Sequence, residues 1–222
     1  MSIQFNPGRW MTAIFAALLM LSVQASAVGW EEGRHYRVLD VPAKTKDPSK
    51  IEVVEVFWYG CPHCYEFAEK HLPEWEASLP EDVDFVLSPA TFPNWVKHAR
   101  AYFAAEALGM VKKLHDPIFD AIIVKPNKYN KDEDYKDLFV KHGVKPEDFD
   151  AVFEATGFRK ISKVDQLQAE ADKRLRSYRL TGVPALIVNG KYVIGVREAG
   201  GFANMLKVTN YLVDKERQAM KK

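Results

Sequence analysis

The two cysteines of this 222-residue chain stand three positions apart, in the segment Cys61-Pro62-His63-Cys64. An apolar, strand-like run comes before this segment and a helix-like pattern comes after it. Paired thiols can form a structural disulfide, bind a metal or exchange disulfides with other proteins. The position of this pair, between a strand and a helix, favours thiol–disulfide exchange.

The two other uses of the cysteine pair remain open as alternatives, but the sequence favours them less. A structural disulfide stabilises most when it closes a long loop, and the loop between these cysteines is very short. A structural zinc site needs four ligands, and the other histidines do not show the H-x3-5-H spacing. These are His35, His71, His98, His115 and His142. We therefore predict no metal ligand, and no cofactor other than a redox-active disulfide between Cys61 and Cys64.

Residues 1–27 have the pattern of a secretory signal peptide. Arg9 supplies positive charge, an apolar run follows over 11–23, and Ala25-Ser26-Ala27 fits a cleavage site. The alternative is a membrane anchor, but a spanning helix needs about 20 apolar residues, more than this run provides. We predict cleavage near Ala27 and a mature protein that is soluble outside the cytoplasm, in an oxidising compartment where disulfides can persist.

The charge balance indicates which partners to expect. The chain has 31 Lys and Arg against 30 Asp and Glu, and removing the predicted signal peptide takes away one basic residue. A balanced charge gives no electrostatic basis for nucleic-acid binding, so we predict no nucleic-acid partner. With 47% hydrophobic residues, the mature chain can bury a full core.

Two predicted strands and a helix surround the cysteines. Residues 51–59 are rich in β-branched and aromatic types, as expected for a strand buried on both faces of a sheet. Gly60 ends this strand, and Pro62 suits the first turn of a helix, which places Cys61 at or beside the helix N-terminus. A second strand over 83–87 gives a β-α-β order, which implies parallel pairing of the two strands.

The segment 94–180 shows helical patterns and no convincing strand. We predict helices near 95–108, 111–124, 132–142, 147–155 and 160–179. The sheet then resumes over 184–188 and 191–196, joined by an Asn189-Gly190 turn of type I′. A closing helix is predicted near 202–218.

This order of elements, with Cys-x-x-Cys opening the first helix, resembles the thioredoxin fold with a helical insertion, and in particular the DsbA family of periplasmic thiol oxidases. Cys61-Pro62-His63-Cys64 is similar to that family's active-site tetrapeptide. Val183-Pro184 is similar to its Val followed by cis-proline, and residues 189–192 match its next hairpin. The resemblance covers about 28–218.

The resemblance implies an α/β, thioredoxin-like fold with an inserted all-helical domain. On this basis the thioredoxin-like domain comprises 28–93 and 181–222, and the helical domain comprises 94–180. The implied function is a thiol:disulfide oxidoreductase that introduces disulfide bonds into exported proteins. Its implied partners are unfolded or folding exported proteins with free thiols, and a membrane protein resembling the quinone-coupled DsbB that reoxidises it. A monomer is expected.

Two other functions remain open. One is a periplasmic disulfide isomerase or reductase, and the other is a chaperone-like peptide-binding module whose cysteine pair is incidental. Catalysed oxidation of a reduced protein, abolished by Cys61→Ser, separates an oxidase from the chaperone-like module. A reduction potential near that of thioredoxin would favour the reductase or isomerase.

The cysteines and their neighbours have expected roles in catalysis. Unpaired N–H groups and the helix dipole should stabilise a thiolate at Cys61, which the resemblance implies is strongly acidic. His63 lies between the sulfurs and is predicted to support the thiolate, the alternative being a solvated loop histidine. Cys64, one turn into the helix, is the sheltered resolving cysteine. Pro62 completes the tetrapeptide.

Three further residues are candidates for the site. Glu55 lies mid-strand, where a buried carboxylate requires a raised pKa or a hidden partner. The resemblance suggests that it assists proton transfer involving Cys64, and pairing with a Lys or Arg is the alternative. Pro184 is predicted to follow a cis bond, with Val183 offering backbone groups to substrate, the alternative being an ordinary turn proline.

Several aromatic residues near the predicted site could line an apolar substrate groove. Aromatic residues close to a sheet more often belong to the core, so no individual residue is assigned to such a groove. They are Trp58, Tyr59, Phe92, Trp95 and Phe202.

Overall fold

The computed structural model of the chain describes residues 29–125, 129, 131–155 and 161–221. The predicted signal peptide, 1–27, lies outside the described residues. No helix within the described ranges is long and apolar enough to span a bilayer.

A five-stranded mixed sheet forms the centre of the molecule. The strands are β1 (Arg37–Val38), β2 (Ile51–Phe57), β3 (Val83–Pro89), β4 (Ala185–Val188) and β5 (Tyr192–Gly195), in the order β1-β5-β4-β2-β3. β2 pairs parallel with β3, as predicted, and the other neighbouring pairs are antiparallel. Every residue of β2 is buried, as its run of β-branched residues predicts.

Nine helices are described. They are α1 (Pro62–Lys70), α2 (Leu72–Ala77), α3 (Val96–Ala107), α4 (Val111–Val124), α5 (Asp132–Lys141), α6 (Pro146–Phe153), α7 (Lys163–Tyr178), α8 (Val196–Ala199) and α9 (Phe202–Met220). Five of them, α3 to α7, lie between β3 and β4 in the chain, where the helical segment was predicted. We propose 94–180 as the bounds of this inserted unit.

The structure differs from the sequence prediction at a few boundaries. The predicted strand 51–59 ends at Phe57. The helix that starts at Pro62 ends at Lys70, with His71 as its C-cap, because Pro73 has no N–H with which to continue the helical hydrogen bonds. The separate helix α2 begins at Leu72. The short elements β1 and α8 were not predicted.

The predicted hairpin turn between β4 and β5 is confirmed. Asn189 has φ 48° and Gly190 has φ 63°, the two positive values that a type I′ turn requires. The Lys191 N–H donates a hydrogen bond to the Val188 carbonyl at 2.9 Å. A Cβ atom at Gly190 would lie 2.1 Å from the Ala43 carbonyl oxygen, so the turn needs glycine for space as well as for conformation.

Helices cover both faces of the sheet. On one face, Phe67 of α1, Trp75 of α2 and Met205 of α9 pack with Val53 of β2. On the other face, Tyr178 at the end of α7 packs against Val54, Val56 and Ile187.

A third apolar cluster joins the inserted helices to the end of β2. It contains Phe57, Tyr59 and Cys64 together with Ile118 and Phe119 of α4. The cysteine pair therefore lies where the helical segment meets the sheet.

Candidate redox-active site

Cys61 is the N-cap residue of α1. Its N–H donates to the Trp58 carbonyl at 2.9 Å, which fixes the loop between β2 and the helix. Pro62 occupies the first turn, where its missing N–H leaves no hydrogen bond unmade. The Cys61 Sγ atom accepts a hydrogen bond from the Cys64 N–H at 3.3 Å, as an N-cap side chain does. Both cysteines are free thiols, so the structure represents the dithiol form.

The environment of Cys61 favours its thiolate. A hydrogen bond from the Cys64 thiol is the largest cause, and the Cys64 and His63 N–H groups and the charge of His63 act in the same direction. Burial opposes them, and the balance lowers the pKa of Cys61 to about 6. Cys61 is therefore mostly ionised at neutral pH, although the side chain of an unperturbed cysteine is mostly a thiol.

Cys64 has the opposite environment. Its side chain is 0% exposed, and burial raises the pKa of its thiol far above the usual range. The hydrogen bond that it donates to Cys61 and the negative charges of Cys61 and Glu55 also raise this pKa, while the Trp58 N–H lowers it. Within one helical turn, the fold thus separates a thiolate from a sheltered thiol.

His63 is exposed on the first turn of α1. Its ring centroid lies 6.4 Å from that of Phe202, the first residue of α9. The first turn carries no acidic residue, so no carboxylate there competes with the thiolate for the N–H groups of the helix.

Val183 and Pro184 lie opposite Cys61. The Val183–Pro184 peptide bond is cis, as predicted. The Val183 carbonyl oxygen lies 3.8 Å from Cys61 Sγ. Val183 is half-buried, whereas Pro184 is buried, so the edge next to the sulfur is formed by the Val183 backbone.

Glu55 is buried without a partner. It is 1% exposed, and neither carboxylate oxygen has a hydrogen-bond partner among the described residues. Burial, and to a smaller extent the charge of Glu76, raises the pKa of Glu55 to about 8. Of the two expectations for this acid, a raised pKa or a hidden partner, the surroundings favour the first, and no Lys or Arg partner is seen within the described ranges.

The acid of β2 that does have a cationic partner is Glu52, which the sequence analysis did not single out. The Arg174 Nη2 atom of α7 lies 2.5 Å from its Oε1 atom. Glu52 is on the opposite face of β2 from Glu55, because side chains alternate along a strand. No sequence signal distinguishes the two acids, since both occupy apolar runs of the same strand.

The five aromatic candidates separate into three groups. Trp58 and Trp95 are stacked, with ring centroids 4.5 Å apart, and Phe92 meets Trp95 edge-on. Phe202 lies on the other side of α1, where it stacks with Phe67. Tyr59 belongs to the core, with 1% exposure.

A hydrogen bond of Tyr59 leads to His115, a residue near the site that sequence reasoning missed. The Tyr59 hydroxyl is hydrogen-bonded to the Nδ1 atom of His115 at 3.0 Å. Burial lowers the pKa of His115 to about 4, so its ring is neutral at pH 7. This contact ties α4 to the loop that carries Cys61. The two residues are far apart in the chain, and no local pattern connects them.

The described residues include no group of three or more His, Cys, Asp or Glu side chains arranged to hold a metal ion. The site itself presents two sulfur atoms, one activated and one sheltered.

Comparison with known proteins gives consistent matches over most of the chain. The model of the DSBA-like thioredoxin domain family matches residues 66–207. The thiol:disulfide interchange protein DsbA of Pseudomonas aeruginosa is 37% identical over 213 residues, which is 96% of this chain and 98% of that protein. The protein of the same name from Azotobacter vinelandii is 39% identical, covering 91% of this chain and 94% of its own length.

A solved structure gives the same result. The crystal structure of Pseudomonas aeruginosa DsbA superimposes with a TM-score of 0.79 at 38% identity, and the match covers 88% of this chain and 99% of that chain. The α/β fold is therefore thioredoxin-like, as the resemblance implied. By sequence and by structure, the chain belongs to the DsbA family.

Proposed function

We propose that this protein oxidises thiols of exported proteins through Cys61 and Cys64. The protein is a thiol:disulfide oxidoreductase of the DsbA family, in which disulfides are introduced into other proteins. One observation carries the assignment of the two sulfurs: Cys61 Sγ caps the N-terminus of α1 and accepts the Cys64 N–H, whereas Cys64 is 0% exposed. These surroundings lower the pKa of Cys61 to about 6 and raise that of Cys64.

The proposed reaction starts from the oxidised enzyme. A substrate thiolate attacks Cys61 Sγ, a bond forms between the two sulfurs, and the Cys61–Cys64 bond breaks with its electron pair passing to Cys64. A second substrate thiolate then attacks the substrate sulfur of this mixed disulfide, and Cys61 leaves as a thiolate. The substrate loses two electrons and gains a disulfide, and the enzyme gains those two electrons as a dithiol.

The direction of exchange follows from the stability of the reduced form. A dithiol whose thiolate is stabilised makes the corresponding disulfide a stronger oxidant. The hydrogen bonds from Cys64 and from the first turn of α1 provide that stabilisation for Cys61. The low pKa also makes Cys61 a good leaving group in the second step.

The neighbouring residues have proposed supporting roles. The Val183 backbone, 3.8 Å from Cys61 Sγ, would pair with a substrate in strand-like fashion beside Pro184. His63 would stabilise the Cys61 thiolate by its charge, with Pro62 shaping the turn. Glu55, which keeps its proton up to a pH of about 8, would supply a proton to Cys64 when that sulfur leaves.

The proposed setting is the periplasm, reached through cleavage of a signal peptide near Ala27. We propose a monomer that is reoxidised by a membrane partner similar to DsbB. Both proposals rest on membership of the DsbA family.

The test measures the oxidation of a reduced, unfolded protein with two cysteines, in the presence of glutathione disulfide as the terminal oxidant. The wild-type protein should accelerate disulfide formation, and Cys61→Ser should abolish the acceleration. Cys64→Ser is the matched control, because it keeps Cys61, which can still form a mixed disulfide with glutathione or substrate, but cannot form the Cys61–Cys64 disulfide from which the proposed reaction starts. Equal activity of Cys61→Ser and wild type would exclude the proposal, and a reduction potential near that of thioredoxin would favour the reductase or isomerase.

A further inference from the structure

A groove of about 600 Å³ lies between α1 and α2 on one side and α4 on the other. Its floor includes Phe85 and Leu87 of β3 and Phe119 of α4. Tyr65, which follows Cys64 directly, lines one end, and Glu76 of α2 lies in its wall. The groove therefore begins next to the cysteine pair but uses neither sulfur.

The floor of the groove is apolar surface that the fold leaves partly open. Phe85 and Leu87 are half-buried, although their partners across the β2–β3 pairing, Val53 and Glu55, are 0% and 1% exposed. The same face of the sheet is thus closed over β2 and open over β3. An apolar side chain from another molecule could pack on the exposed parts of Phe85 and Leu87 and so cover β3 as well.

The rim of the groove is strongly acidic. Four carboxylates line it, Glu69, Glu76, Asp116 and Asp120, against the single cation Lys112. All four are exposed. Within the described ranges, Glu69, Glu76 and Asp116 have no ion pair, and Asp120 accepts a hydrogen bond from the Tyr65 hydroxyl at 2.7 Å.

An independent feature of the interior lies beneath the same floor. The buried carboxyl group of Glu55 has no hydrogen-bond partner among the residues that the structure describes, and it lies next to Leu87 in the sheet, on the face that forms the groove floor. Its main charged neighbour is Glu76, in the groove wall. A positive group in the groove would therefore meet negative charge at the rim and an unpartnered acid beneath the floor.

We propose that this groove binds a basic segment with an apolar anchor, contributed by the polypeptide whose cysteines are being oxidised. The proposal rests on the proposed function, since it names a feature of the substrates of that reaction. Lys or Arg side chains of the segment would contact the acidic rim, and the apolar side chain would pack on Phe85 and Leu87.

The dimensions fit a short extended segment. Tyr65 and Glu76 are eleven residues apart along the two helices, which at 1.5 Å per residue sets an upper limit of about 16 Å on their separation. An extended chain rises about 3.3 Å per residue, so roughly five residues span the groove. When a substrate cysteine is bonded to Cys61, a basic segment bound in the groove would lie only a few residues from that cysteine in the substrate sequence.

The test compares three reduced dithiol peptides under steady-state turnover with glutathione disulfide. The first carries two Lys around a Leu a few residues from its attacking cysteine, the second has Gln for both Lys, and the third keeps both Lys but has Ser for Leu. For the wild-type protein we expect a KM about tenfold lower for the first peptide than for the second, the effect of two or three weak ion pairs. The kcat values should agree, and 0.5 M NaCl should remove most of the difference.

The variant that tests the groove is the triple substitution Glu69→Gln, Asp116→Asn, Asp120→Asn, which leaves Glu76 and therefore the surroundings of Glu55 unchanged. It should raise the KM of the Lys-containing peptide to that of the Gln peptide without changing turnover of the Gln peptide. The matched control neutralises three exposed acids outside the groove, by Glu81→Gln, Glu154→Gln and Glu170→Gln, and should keep the preference.

Three results would overturn the inference. They are equal KM values for the Lys and Gln peptides with the wild type, an equal loss of preference in both triple variants, and equal KM values for the Leu and Ser peptides. The last result would mean that the acidic protein surface attracts basic peptides in general, without an apolar side chain docking in the groove. Failure of the proposed function would look different, because none of the peptides would then be oxidised.

Discussion

At the scale of single residues, the two sulfurs differ because their surroundings differ. Cys61 lies at the N-terminus of α1, where N–H groups and the Cys64 thiol donate hydrogen bonds to it. Cys64 is one turn further along the helix and fully buried. The same side-chain chemistry thus gives a thiolate at one position and a thiol at the other.

The first prediction concerns the titration of Cys61. In the reduced protein, the rate of alkylation by iodoacetamide should reach half its maximum near pH 6, the value to which the pKa of Cys61 is lowered. His63→Ser should move this midpoint upward, because the charge of His63 is one cause of the shift. The midpoint should remain below the ordinary thiol value of about 8.5, since the hydrogen bonds from Cys64 remain. An unchanged midpoint in His63→Ser would show that His63 has no such role.

The second prediction concerns Glu55. The folded protein holds its proton up to a pH of about 8, whereas the unfolded chain releases it near the ordinary carboxyl pKa. Wild-type stability should therefore fall as pH rises between those two values. Glu55→Gln removes this dependence, so its stability relative to wild type should rise by a few kcal/mol from pH 4 to pH 8.

Urea denaturation of both proteins across that pH range is the measurement for Glu55. Burying the amide introduced by Glu55→Gln costs the same free energy at every pH. This cost therefore does not affect how the stability difference between the variant and the wild type changes with pH. A difference that does not change with pH would mean that Glu55 titrates normally. Following the pH dependence of thiol exchange in the same variant tests its role in proton transfer, and an unchanged profile would count against that role.

At the scale of elements, the loop between β2 and α1 determines where the sulfurs point. The Trp58 carbonyl accepts the Cys61 N–H, and the Trp58 ring is stacked on Trp95 of the segment before α3. Gly60 makes this arrangement possible, because a Cβ atom there would lie 2.4 Å from the Trp58 ring. Gly60 thus does more than end a strand, which is all that the sequence indicated.

The third prediction follows from that contact. Gly60→Ala should destabilise the protein by about 1–3 kcal/mol, the usual cost of forcing extra volume into packed surroundings. Urea denaturation gives the stability, and the near-ultraviolet circular dichroism reports the displaced Trp58–Trp95 stack. Gly182→Ala is the matched control, because a Cβ atom at Gly182 meets nothing within 4 Å. Similar stabilities of the two variants would contradict the expected contact.

Most elements were predictable, because they depend on local pattern. The β-branched run of β2, the Asn189-Gly190 turn and the helical periodicity of 111–124 each determine structure from neighbouring residues alone. The short strand β1 could not be predicted, because two residues form a strand only by pairing with β5. The break at His71 had a local signal in Pro73, which the sequence analysis did not use.

At the scale of the whole molecule, the site depends on contact between the sheet and the inserted helices. Cys64 and Tyr59 share an apolar cluster with α4, and His115 of that helix is bonded to Tyr59. The environment that raises the pKa of Cys64 is therefore assembled from segments far apart in the chain. The redox chemistry and the global stability are linked for this reason.

The fourth prediction concerns that link. The lowered pKa of Cys61 stabilises the folded dithiol form fully above the ordinary thiol pKa of about 8.5, and this stabilisation disappears as pH falls through about 6. The reduced protein should therefore gain stability relative to the oxidised protein as pH rises from 5 to 8.5. Calorimetry of both forms at several pH values measures the two Tm values. A difference between them that does not vary with pH would contradict the assignment of the thiolate to Cys61.

By itself, the sequence indicated the cysteine pair as the candidate site and determined the order of the main elements and the family. These follow from residue types at fixed short spacings, as in Cys61-Pro62-His63-Cys64 and Asn189-Gly190. It also indicated that Glu55 is buried, because a strand without polar alternation has both faces covered.

Only the tertiary structure decided which groups surround those residues. It gave Glu52 a partner in Arg174 and gave Glu55 none in the described part of the chain, although both acids lie on β2. It also placed four carboxylates around the apolar floor of one groove. Such differences arise from side chains that meet across the fold, so the charge state of a buried group depends on packing between distant segments, which local sequence patterns do not encode.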